Sequence, residues 1–143
     1  LNKYIRSSVY IILLTNIFII CIAQSFYALM EVDKNLFFVP VVIVSINFIL
    51  WLSNFRIKFY QHWIFAYIGF FCSIFIFYFI HYINIDISEW NDFPPGEAYW
   101  DLFLFVFITS VFQLIVLLTL NLFTYLFYKG ASYLFKRKLG SGK

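Results

Sequence analysis

Charge is what this chain has least of. Only 12% of its 143 residues are Asp, Glu, Lys or Arg, whereas 64% are hydrophobic and 25% aromatic. A soluble domain of this size leaves a large share of its area exposed and could not hide so much apolar surface. The solvent it expects is lipid. No ionisable residue lies near the middle of any apolar run, which counts against ion-coupled transporters, proton pumps and voltage sensors, whose working groups are intramembrane charges. A carbonyl-lined pore needs no such group and stays open. Cysteine is limited to Cys21 and Cys72, both inside apolar runs and without CxxC or Cys/His spacing; they read as two buried thiols acting as small hydrophobes. There is no His-Glu-x-x-His, no glycine-rich phosphate loop, no nucleophile elbow and no Ser-His-Asp order, so nothing points to catalysis, a metal or a cofactor. The unbroken apolar runs lack the alternation of barrel strands.

What is present is four apolar segments, expected at about residues 7–30, 36–55, 61–84 and 101–128, with an outer segment over 85–100. The last carries no charge from Leu102 to Tyr128. At about 1.5 Å per residue, such a run exceeds the ~30 Å hydrocarbon core. The first segment is too long for a signal-peptide core and has no A-x-A site after it, so it reads as a retained span. Helices and closed barrels are the structures whose backbones are satisfied in lipid. The expected fold is therefore an all-α integral membrane protein, one antiparallel bundle of four transmembrane helices over residues 1–139, with a flexible tail at 140–143.

The few charges are segregated. All seven carboxylates (Glu31, Asp33, Asp86, Glu89, Asp92, Glu97 and Asp101) fall in two connecting segments, and nine of ten Lys and Arg fall in the other three exposed stretches. Short loops rich in Lys and Arg stay cytoplasmic. This places both termini inside, and the membrane as a bacterial inner (plasma) membrane. The tail residues Lys136, Arg137 and Lys138 suit anionic lipid headgroups better than nucleic acid, which is not expected as a partner.

Asn16, Asn47, Ser73 and Gln113 lie within roughly two helical turns of the midplane when counted from the flanking charges. An amide facing lipid costs several kcal/mol, so these four should point inward and find each other. They read as a hydrogen-bonded structural layer or, alternatively, as the lining of a polar cavity. Ser110, Gln113, Leu117, Asn121 and Thr124 share one face of the fourth span, a stripe that could line the core, a pore or a partner. Ala66, Gly69 and Ser73 form a small-residue groove on the third span, expected to serve packing within the chain. Ser45-Ile46-Asn47-Phe48 with Trp51 parallels Thr119-Leu120-Asn121-Leu122 with Tyr125, a faint duplication of two helical hairpins.

The outer segment contains Trp90, Asp92, Phe93, Pro94, Pro95, Gly96, Glu97 and Trp100. The prolines and glycine predict a turn and Glu97 a helix start. The aromatic rings predict an interfacial belt, and the carboxylates a solvated acidic loop. His62, at the edge of the third span, reads as an interfacial residue without a special role.

In span number, loop length, Phe content and basic ends, the chain resembles the bacterial inner-membrane immunity proteins that protect against pore-forming bacteriocins, a likeness of architecture without a shared motif. Asn47 to Leu50 and Asn54 to Phe59 are similar to the end of a span in GtrA-like proteins of lipid-linked sugar transfer; the glycine-rich first span of that family is missing here and the outer loop is longer. The chain is assigned to neither. The expected function is non-enzymatic: intramembrane contact with another membrane protein, as an immunity, defence or accessory subunit. The alternative is an oligomeric channel or carrier.

Overall fold

A computed structural model describes residues 2–30, 35–52, 59–86 and 93–140. Within them the chain is all helical: α1 (Asn2–Leu29), α2 (Phe38–Leu52), α3 (Phe59–Asn84) and α4 (Glu97–Gly140). Three of these carry stretches long and apolar enough to cross a membrane, Val9–Leu29, Tyr60–Asn84 and Glu97–Gly130, and they mark a helical membrane protein. The 15 described residues of α2 rise about 22 Å, short of a bilayer core. The expected span over 36–55 runs into residues 53–58, which lie outside the described part.

Local sequence explains the helix boundaries. Asn35 starts α2: its side-chain oxygen accepts from the Phe37 amide at 2.9 Å and its carbonyl from the Phe38 amide at 2.9 Å. Pro40 then falls in the first turn, where a missing N–H costs nothing. Before α4, the Glu97 amide donates to the Pro94 carbonyl at 3.1 Å. Pro95 occupies the second position of that turn and Gly96 the third, with φ at 90°, the geometry of a type II turn. The helix restart at Glu97 is as the sequence predicts. At the other end α4 overruns the expected limit of 128 and continues to Gly140, 44 residues in all. A single glycine at 130 is not a stop, and no proline follows it. The basic residues 136–138 thus ride on a helical extension, while residues 141–143 lie outside the described part.

The closest pairing is α1 with α3. Its cause is Gly69: a Cβ there would lie 2.7 Å from Ile20 Cδ1 and 3.2 Å from the Asn16 carbonyl carbon and oxygen. Glycine lets the two backbones approach within the range where dispersion and backbone contacts replace the hydrophobic effect as the cohesive force in lipid. Ala66 and Ser73 are buried on the same face, so the small-residue groove serves packing within the chain. Helices α2 and α3 each touch both α1 and α4, whereas α1 and α4 occupy opposite corners. The core between them contains Ile20, Tyr27, Ile43, Phe70, Phe77, Val106 and Leu117, with Tyr27 and Phe77 at 5.6 Å between ring centroids. Aromatic contacts tie the ends: Tyr82 with Tyr99 at 5.4 Å, and Trp51 edge-on to Tyr128 at 5.1 Å. Outward positions are large and apolar, including Phe18, Phe75, Phe79, Phe123 and Phe127. Cys72 corrects the expectation of two buried thiols: Cys21 is half-buried but Cys72 is exposed, on the side of α3 that carries Phe71 and Phe75.

Candidate polar core and lateral cleft

The inward-facing amides form pairs. Asn47 Nδ2 donates to Asn16 Oδ1 at 2.9 Å and shares its second donor direction with the Ile43 carbonyl at 2.9 Å. Asn16 Nδ2 donates to the Ile12 carbonyl at 2.9 Å. The two asparagines therefore couple α1 to α2 while each also holds its own helix. Gln113 meets a residue that hydropathy alone gave no reason to choose: Gln24 Nε2 donates to Gln113 Oε1 at 3.3 Å, and both side chains are fully buried. That bond joins the corner helices α1 and α4 through the middle of the protein. Ser73 is buried but satisfies itself within α3, donating to the Phe70 carbonyl at 2.7 Å. The expected four-residue layer is thus a pair, Asn16–Asn47, with Gln113 in a second pair and Ser73 apart.

The stripe on α4 turns inward. Ser110, Gln113, Leu117 and Asn121 are buried, and Thr124 is half-buried, bonded to the Leu120 carbonyl at 2.9 Å. Asn121 Nδ2 donates to Tyr67 Oη at 2.9 Å, a link between α4 and α3. The phenol of Tyr67 was invisible as a partner in sequence because tyrosine is common at any depth of an aromatic-rich span.

Several buried polar atoms have no hydrogen-bond partner in the protein: Gln24 Oε1, Gln113 Nε2, Asn47 Oδ1, Ser110 Oγ, Glu97 Oε2 and both ring nitrogens of His62. His62, read from the sequence as a residue at the edge of the third span, is only 1% exposed. It sits one turn into α3, on the face that α2 and α4 cover. Together with Asn47, Asn121 and Thr124 it lines a small pocket of about 20 Å³, walled by Trp51 and Trp63. The two asparagines of the sequence duplication meet at this one cavity.

A second space differs in every respect. A cleft of about 540 Å³ opens on the side of the protein between α3 and α4, lined by Phe70, Phe71, Ile74, Phe75, Tyr78, Phe103, Val106, Phe107, Ser110, Val111 and Leu114. Ser110 and Tyr78 are among its lining residues, yet the surface facing the cleft is apolar throughout, and the unpartnered Ser110 hydroxyl is not part of it. The helices meet through Tyr82–Tyr99, Phe77–Phe105 and Tyr67–Asn121.

The outer segment contributes less. Trp90 and Asp92 lie outside the described residues. Phe93 and Trp100 are exposed, as interfacial rings would be, and Trp100 begins a ladder of stacked rings with Phe103 and Phe107 at 5.6 and 6.2 Å. Glu97 is half-buried at the start of α4, where its charge meets the positive end of the helix dipole. The side chains of Lys136, Arg137 and Lys138 also lie outside the described part. Among the described residues no group of three His, Cys, Asp or Glu side chains is placed to hold a metal. No protein family, curated protein or solved structure matches this chain.

Proposed function

We propose that the protein is a non-enzymatic, multi-pass protein of a bacterial plasma membrane that acts by binding a transmembrane helix of another protein, as an immunity, defence or accessory subunit. The observation that carries this reading is the lateral cleft between α3 and α4. It opens on the side of the protein, is wide enough for side chains, and presents an apolar surface. A guest helix would fill it with close side-chain packing, the force that drives helix association in lipid. The inward turn of the α4 stripe moves the contact surface from that stripe to the cleft.

The proposal includes a fourth span through α2 and an antiparallel bundle with both termini cytoplasmic. Its supports are the segregation of charge and the order of the contacts. Tyr67, Phe77 and Tyr82 of α3 meet Asn121, Phe105 and Tyr99 of α4 in reverse order, while Asn16 and Tyr27 of α1 meet Gly69 and Phe77 of α3 in the same order. Membrane lipids are the other partners, with residues 136–138 toward anionic headgroups and Trp90, Asp92, Phe93, Glu97 and Trp100 at the outer interface. Single-cysteine labelling in intact cells tests the orientation: reporters at Asp33 and Asp86 should react from outside and one at Lys138 should be protected.

Photo-crosslinking in the native membrane tests the function. A crosslinking residue at Val111, inside the cleft, should give one discrete protein adduct, and one at Phe18 on exposed α1 should give none. Identical patterns from both positions, or lipid adducts alone at Val111, would refute helix capture. One observation favours the alternative of an oligomeric channel or carrier: buried amide atoms of Asn47, Gln24 and Gln113 have no hydrogen-bond partner in the protein. That reading requires flux in proteoliposomes that falls when Asn16, Asn47 or Gln113 is replaced by Leu.

A further inference from the structure

We infer that Cys21 and Cys72 form one redox site on the lipid side of the α1–α3 seam, a thiol pair that a lipid-soluble quinone closes into a reversible disulfide. Both are free thiols, Cys21 half-buried and Cys72 exposed, and both lie near the middle of their apolar stretches, Val9–Leu29 and Tyr60–Asn84. Depth brings them level. Gly69 of α3 meets α1 at Asn16 and Ile20, and Phe77 meets Tyr27, in the same order along both helices. Each contact pairs a residue of α1 with one about fifty positions further along the chain, and the two helices rise equally per residue. Cys21 and Cys72 keep that offset.

Rotation brings them to the same side. An α-helix turns about 100° per residue. Around α1, Asn16 points to Asn47 of α2, and Ile20, about 40° on, points to Gly69 of α3. Cys21 lies about 100° further in that sense, past α3 and away from α2. Around α3, Gly69 faces α1 and Tyr67, about 160° away, meets α4. Cys72 lies about 60° from Gly69 in the opposite sense, away from α4, and does not line the lateral cleft. Both thiols therefore border one outer groove, and they interact electrostatically across it. The close approach at Gly69, one turn before Cys72, brings the backbones toward the roughly 4.4–6.8 Å between Cα atoms that a disulfide spans. Closure breaks two S–H bonds and forms one S–S bond. The two electrons and two protons pass to the quinone, which leaves as the quinol. A charged, water-soluble oxidant is kept from this depth by the cost of placing charge in lipid, which selects an apolar two-electron acceptor.

The test uses the full chain in lipid nanodiscs without oxygen, with duroquinone as the oxidant because its fully substituted ring takes no thiol addition. Free thiols are counted with a maleimide after unfolding in detergent, and linked peptides are identified by mass spectrometry without reduction. The count should fall from two per chain to none, with Cys21 joined to Cys72 within one chain, and dithiothreitol should restore both. Cys21→Ser and Cys72→Ser should each keep the remaining thiol. The double variant Cys72→Ser with Phe75→Cys separates geometry from access: position 75 is 78% exposed but about 60° further round α3 from α1, and its thiol should stay unlinked to Cys21. Thiols that survive the quinone in the parent protein, cross-links between chains in place of the intrachain bond, or equal linking from position 75 would each overturn the assignment.

Discussion

Replacing Gly69 with alanine is the sharpest test of how α1 and α3 are held together. The new Cβ would stand 2.7 Å from Ile20 Cδ1, about 1 Å inside the ordinary carbon–carbon separation, and 3.2 Å from the carbonyl group of Asn16. The Ile20 methyl is the far end of a side chain but is fully buried, so it has little room to retreat. The Asn16 contact is with backbone and yields only if α1 shifts. Overpacking of this kind costs about 1–3 kcal/mol, and alanine recovers up to ~1 kcal/mol of helix propensity over glycine. The net expectation is a loss of about 1 kcal/mol, with Gly69→Val losing more. Gly130→Ala is the internal control. Gly130 lies within α4 with nothing within 4 Å of its would-be Cβ, so the same chemical change should be neutral or stabilising. Reversible unfolding in bicelles, followed by circular dichroism or steric trapping, measures all three. A double-mutant cycle with Ile20→Val, which removes the nearer clashing methyl, should show coupling of at least ~0.5 kcal/mol in the rescuing direction. If Gly69→Ala stabilises the protein as much as Gly130→Ala does, the close approach of the two helices is wrong.

The remaining predictions concern the polar core and the turn. Asn16→Leu or Asn47→Leu should each cost about 0.6–2 kcal/mol, and the double variant should cost less than the sum, because each single change strands the other amide; additive losses in the same unfolding assay would deny the bond. Gln113→Leu should couple more weakly to Gln24→Leu than the asparagines couple to each other, since that bond is 3.3 Å against 2.9 Å; an equal or larger coupling energy would contradict the geometry. Tyr67→Phe removes the acceptor of Asn121 Nδ2 and should cost about 1 kcal/mol, with the Asn121 side-chain amide shift in NMR reporting the loss; an unmoved shift counts against it. Gly96→Ala meets no neighbour and should nonetheless destabilise by about 1–2 kcal/mol, because φ at 90° penalises any Cβ; a neutral result would mean that the turn is not held in that conformation.

Much of this was legible in order of residues alone. Apolar length fixed where the helices run, because the lipid core demands about 20 residues and forbids unpaired backbone. Pro94-Pro95-Gly96 before Glu97 announced the turn and the start of α4, since those residues restrict φ locally. The inward direction of Asn16, Asn47, Ser73 and Gln113 followed from the cost of a polar side chain in lipid. Other features depended on which faces meet. Sequence showed that the amides needed partners, but the choice of Asn47 for Asn16, Gln24 for Gln113 and Tyr67 for Asn121 is made by helix rotation and offset, which have no local signature. Gly69, Ala66 and Ser73 advertised a close contact without naming the Asn16–Ile20 turn that fills it. The overrun of α4 past 128 was missed because the end of hydrophobicity is not the end of a helix. His62 gave no sign of its cover for the related reason that depth along a span says nothing about which neighbour buries it. Its burial between α2 and α4, and the lateral cleft between α3 and α4, exist only in the packed protein: both depend on the volumes of side chains distant in sequence.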